Sequence, residues 1–205
     1  MKNATKHADE LRSLVKKLIK EHKPEPRTPQ PAIRALVRAA MSYDVADGRA
    51  EDAMKAIEKE FVDFNELRVA TDLEVQVLLG SRYPAIEQRV AMITQSLNNI
   101  FEREHTLNLE RLKDVSKRDI RQFLRELPEI HPFVEAYVML MSFDGHSFPI
   151  DDEMLAYLVD QEIVEEGTSL VDEQKFIEHN LKADECYDAF VAVRAAVAER
   201  AKRKK

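Results

Sequence analysis

Glycine occurs only 4 times in the 205 residues, cysteine once and tryptophan not at all. At about 2%, glycine falls well below its usual share of roughly 7%. That scarcity disfavours turn-rich sandwiches and barrels, and with them the Gly-rich loops that cradle phosphates. The lone cysteine, Cys186, excludes an internal disulfide, a four-thiolate iron–sulfur cluster and an all-cysteine zinc site. No apolar run approaches the roughly 20 residues needed to span a bilayer, and no signal-peptide pattern opens the chain. Without Trp and with only 5 Tyr, no aromatic platform for flipped or single-stranded bases is apparent. These absences predict a soluble, cytoplasmic, mostly helical protein with no membrane association.

Positive charge is missing from one long stretch. Residues 126–174 hold thirteen Asp/Glu and no Lys or Arg. The formal net charge of −7 averages a basic N-terminal segment (1–31, net +4), a basic end (183–205, net +2) and a body of −13. An acidic surface of that kind repels phosphate. The terminal run Lys202-Arg203-Lys204-Lys205 reads as a solvated helix end.

The residues that are present repeat at helical spacing. Leu11, Leu14, Val15, Leu18 and Ile19 predict an amphipathic helix over 5–22. Residues 23–31 hold four of the eight prolines, which stops that helix and predicts an extended connector. Residues 1–31 therefore read as an extension outside the core, ahead of a helical domain spanning 32–205. Further helices are predicted at about 32–42, 50–61, 71–80, 84–104, 117–126, 132–142, 151–160, 172–180 and 183–201, with no strand. Thr71 to Glu74 forms a capping box, and Ser116 and Asp151 are placed as N-caps. The helix over 132–142 is apolar on every side, which predicts burial on every side.

Other groupings in the sequence offer less. Asp144, His146 and Asp151-Asp152-Glu153 bring oxygen and nitrogen donors close in sequence, but without EF-hand spacing or its glycine. The six histidines show no ligand spacing, and no nucleophile elbow, Walker or dinucleotide fingerprint occurs. No metal and no cofactor are expected.

Between 124 and 160 the order of features becomes specific. Leu127-Pro-Glu-Ile-His-Pro132 leads into the apolar helix; Phe143-Asp-Gly-His-Ser-Phe-Pro-Ile150 follows, then Asp151 at a helix start. This order resembles the endonuclease III branch of the helix-hairpin-helix DNA glycosylases, and Ala39 to Asp47 matches a further segment of that family. The resemblance implies an all-α fold of two helical lobes carrying a helix-hairpin-helix motif. It sets a six-helix-type lobe at about 44–143 and a second lobe from the remaining terminal helices. It also implies base-excision repair chemistry, with Asp151 as the catalytic carboxylate. DNA contacts are implied at Leu127, Glu129, Ile130 and His131 of the hairpin, and at Ser42 and Asp44.

The departures from the family bear on mechanism. Phe133 stands where bifunctional members carry the lysine that attacks the sugar, so no Schiff-base lyase step is expected. Glu129 and His131 replace the two hairpin glycines, Pro132 has no N–H to offer a phosphate, and Asp44 replaces the intercalating glutamine. The cysteines of the family's iron–sulfur cluster are missing. The expectation is a monofunctional glycosylase-like protein that holds double-stranded DNA weakly or in an altered way. The alternative is a catalytically inactive helix-hairpin-helix protein serving as a protein-interaction module. The plainer reading of Asp151 is a helix N-cap.

Overall fold

Leu11, Val15 and Leu18 of the first helix sit in the hydrophobic core, and their burial explains much of the architecture. The computed structural model describes residues 4–203. Within them lie eleven α-helices and a 3₁₀ turn, and no strand. The helices are α1 (Ala4–His22), α2 (Ala32–Ala40), α3 (Asp47–Glu60), α4 (Phe64–Val69), α5 (Asp72–Leu79) and α6 (Ile86–Glu104). After the 3₁₀ turn Glu110–Asp114 come α7 (Lys117–Arg125), α8 (Pro132–Ser142), α9 (Asp152–Asp160), α10 (Leu170–Asn180) and α11 (Cys186–Arg203). Lys204 and Lys205 of the basic run lie outside the described residues.

Local chemistry sets the helix ends. Thr71 accepts from the Glu74 N–H while Glu74 accepts from the Thr71 N–H, so the capping box forms as the sequence predicts. Ser116, Asp151 and Ser169 cap α7, α9 and α10 through their side-chain oxygens. Helix α4 was not predicted, although Asp63 accepts from the Asn65 and Glu66 N–H groups at its start. Six residues with one buried side chain, Leu67, give too little periodicity to see.

The helices form two groups. In one, α4 and α5 pack on α6, α3 packs on α5, and α2 joins this set through α3 and α6. In the other, α1 and α9 pack on α11, and α10 touches both α1 and α9. Helices α2 and α8 pack on each other along the middle, with α7 beside α8. As its composition predicts, α8 is buried from Phe133 to Met141. After it, Asp144 takes φ of 49° and the Gly145 N–H reaches the Met139 carbonyl at 2.9 Å. A Cβ on Gly145 would crowd the Met139 carbonyl oxygen at 3.0 Å and Cβ at 3.1 Å, so a larger residue would require the end of α8 to give by a few tenths of an ångström.

The segment expected to stand apart does not. Helix α1 buries its apolar stripe against α11, and the proline connector is strapped to the end of α8. The Gln30 N–H donates to the Met141 carbonyl at 3.1 Å, and Arg27 donates to the Leu140 carbonyl and pairs with Asp144. The prolines block helix continuation, as read from sequence. What the sequence does not reveal is the receiving face on α11, at the far end of the chain. Leu11→Ala is expected to lower the free energy of urea unfolding by about 2–4 kcal/mol, because it empties a core position. An unchanged midpoint would return α1 to the status of a loose arm.

Candidate active site

Asp151 is 2% exposed and its carboxylate is fully engaged. Its Oδ1 accepts from the Met154 N–H at 2.9 Å, which caps α9. Its Oδ2 accepts from the Asp44 N–H at 3.0 Å and from Arg194 Nη1 at 3.3 Å. The Asp44 carboxylate answers by accepting from the Glu153 N–H at 3.2 Å. The turn after α2 and the start of α9 are thus joined reciprocally.

Arg194, reaching in from α11, organises the same turn. Its Nη2 donates to the carbonyls of Ser42 (3.2 Å) and Val45 (3.0 Å) and lies 2.9 Å from Asp47 Oδ1. One guanidinium therefore binds two carboxylates and two carbonyls, which suits its fixed fork of donors. Sequence reasoning missed Arg194. The only signal was a cation within an otherwise apolar stretch of α11, Phe190 to Val197.

A second buried guanidinium sits on the other side of the turn. Arg89, 1% exposed, donates to the carbonyls of Pro84 (2.7 Å), Ala40 (2.6 Å) and Tyr43 (2.7 Å). It lies 3.7 Å from the centre of the Tyr43 ring. Two of its carbonyls belong to the end of α2 and the turn, so it works as a C-cap. Tyr43 also stacks on His131, with ring centres 4.2 Å apart and planes parallel.

The hairpin residues divide by exposure. Leu127 is buried, Ile130 and His131 are partly buried, and Glu129 is exposed. Glu129 takes φ of 53°, the left-handed region that costs a non-glycine residue roughly 1–2 kcal/mol. His131 Nδ1 accepts from the Phe133 N–H at 3.2 Å and caps α8. Burial, with Arg89 adding to it, pushes the His131 pKa below its usual value. A neutral ring is also what an accepting Nδ1 requires. Ser42 is buried; its hydroxyl donates to the Arg38 carbonyl and accepts from Arg38 Nη1 at 2.7 Å.

Phe133 is fully buried, with ring centres 6.1 Å from both Tyr137 and Phe190 and 6.3 Å from Tyr43. The Arg194 guanidinium lies 5.7 Å from its ring centre. This aromatic group closes the space between α8 and α11. What stays open is a depression of about 410 Å³ beside Asp151 and Arg194, walled by Val45, Met154 and Val197. A smaller hollow of about 180 Å³ borders Tyr137, Phe190 and Arg194. Among the described residues, one trio has the spacing of metal ligands: Glu21, His22 and Glu199, at the α1–α11 seam. It includes none of the predicted site residues, and Arg203 already pairs with Glu199.

Burial, and then the charge of Asp151, raises the Asp44 pKa from the ordinary aspartate range to about 6. The unfolded chain releases this proton near pH 4 and the folded chain near pH 6. Asp44 therefore favours folding most below about pH 4, loses that contribution as pH rises toward 6, and adds no further slope above. Asparagine keeps an oxygen for the Glu153 N–H and tolerates the φ of 50° found at this position. Asp44→Asn is expected to stabilise the fold at about pH 7.5 by on the order of 1 kcal/mol, with the gain vanishing near pH 4. Urea titrations across that range check it; a gain that grows toward low pH would contradict it.

No protein-family profile matches the sequence, and no curated protein matches it either. Solved structures do. The chain superposes on the Clostridium acetobutylicum 8-oxoguanine glycosylase/lyase bound to DNA with a TM-score of 0.75 and 16% identity. That match covers 97% of this chain and 71% of the other. A trapped endonuclease III–DNA covalent intermediate gives 0.72 at 10% identity, over 91% and 84% of the two chains. The H. pylori 3-methyladenine DNA glycosylase MagIII gives 0.67 at 13% identity, over 98% of each. The chain has the all-α fold of the endonuclease III-like, helix-hairpin-helix DNA glycosylases.

Proposed function

We propose that this protein engages duplex DNA in a base-excision repair role, without a Schiff-base lyase step. Base release, in this reading, is hydrolytic: water adds to the sugar carbon as the glycosidic bond breaks, the base leaves with the bonding pair, and the proton the water sheds ends on the departing base. Asp151 would stabilise the oxocarbenium-like sugar and orient the water. The observation that carries the reading is Asp151 on the wall of the depression at the start of α9, in a glycosylase fold whose position 133 offers no amine. The hairpin residues Leu127, Glu129, Ile130 and His131, with the turn holding Ser42 and Asp44, would form the DNA-facing rim. Hairpin contact would rest on the backbone, since Pro132 supplies no N–H and Glu129 is acidic.

One observation favours a second reading. Three donors already occupy the Asp151 carboxylate, which supports a purely structural use of it in a catalytically inactive interaction module. Labelled duplexes carrying an abasic-site analogue or a panel of damaged bases separate the readings. Binding is expected at about 50 mM salt, where phosphate contacts are strongest. No borohydride-trapped adduct is expected, and base release should disappear in Asp151→Asn. A trapped adduct, or no binding at that salt, would overturn the proposal. Intact binding with no base release from any substrate selects the second reading.

A further inference from the structure

Four large apolar side chains on one corner of the molecule stand in solvent. Val62, in the turn before α4, is 94% exposed, and Val69, Leu73 and Val77 of α4 and α5 are 66%, 68% and 72% exposed, although the rest of those two helices packs on α6. Val69, Leu73 and Val77 follow at intervals of four from the end of α4 along α5. Between α3, α4 and α5 they border a groove of about 700 Å³, floored by Phe61 and Leu78. Isolated apolar residues on a surface need no explanation, but a contiguous set beside a groove marks an interaction surface.

Charge around the groove selects what fits. Glu60, Glu66 and Glu74 line it, and no Lys or Arg does. Arg68, the cation on α4, is turned to Asn98 and lies 4.0 Å from the centre of the Phe101 ring. Duplex DNA and anionic lipid are repelled by such a rim. A second copy meeting this face about a two-fold axis would bring the same carboxylates against each other. An amphipathic helix with an apolar stripe flanked by lysines meets both demands: its stripe covers the valines and leucine, and its cations face the glutamates.

We propose that the α3–α5 corner is a docking groove for a basic amphipathic helix of another protein. The groove uses no residue of the Asp151 region, so the inference stands or falls independently of catalysis. A fluorescently labelled peptide of alternating leucine and lysine at helical spacing serves as the probe, with its leucine–glutamate counterpart as control. The full chain is expected to bind the lysine peptide and not the glutamate peptide. Leu73→Ser with Val77→Ser, at exposed positions that leave the core intact, should weaken binding about tenfold or more. Glu60→Lys should weaken it several-fold, and raised salt should do the same. Equal binding of both peptides, or no loss in the serine variant, would overturn the proposal. So would a chain that sediments as a dimer and becomes monomeric in the serine variant, since a second copy would then be the occupant. DNA binding, measured in parallel, should be unchanged by all three substitutions.

Discussion

The Asp151 carboxylate holds together segments that sequence order keeps far apart. It caps α9, accepts from the turn after α2, and receives the Arg194 guanidinium from α11. Arg194 then fastens the same turn through Ser42, Val45 and Asp47. A charge buried to 2% exposure requires such partners, because an unpaired carboxylate in that position would cost several kcal/mol. Once they are in place, the turn after α2, the start of α9 and α11 are bound at one point, and the Phe133–Tyr137–Phe190 cluster packs α8 against α11 beside it. The carboxylate proposed for the chemistry is thus the same group that ties these helices together.

Charge placement looks different in three dimensions. The stretch without Lys or Arg reads as an unrelieved acidic surface, yet cations from elsewhere meet many of its carboxylates. Arg27 pairs with Asp144, Arg121 and Arg125 with Glu135, Arg194 with Asp151, and Arg200 with Asp160. Glu135, itself buried, sits against two of these guanidinium groups. The repulsion expected of that stretch is thus confined to the acids that stay exposed, Glu129 among them. Glu173 is the contrary case: it is buried, neither oxygen has a partner, and burial lifts its pKa to about 7.

Much of the fold was legible because it is local. Periodicity located ten of the helices, the Thr71 box and the Ser116 and Asp151 caps act as read, and the apolar composition of α8 announced its burial. Partners across the chain were not legible. The docking of α1 on α11, the role of Arg194 and the hold of Arg89 on the Ala40 and Tyr43 carbonyls each join residues tens to more than a hundred positions apart. Scarce glycine carried a hidden consequence as well. Lys23, Asp44, Ala85, His105, Glu129, Asp144 and Glu162 take left-handed backbone conformations that glycine would adopt without strain.

The tie between the lobes is open to a direct measurement: a double-mutant cycle in urea unfolding built from Asp151→Asn and Arg194→Met. Asparagine keeps the cap to the Met154 N–H, so the cycle isolates the charge pairing across the seam. A coupling of about 2 kcal/mol is expected, with each single change nearly as damaging as the two together. Effects that simply add would show that Asp151 and Arg194 act separately, and would contradict the account of this carboxylate as the joint of the fold.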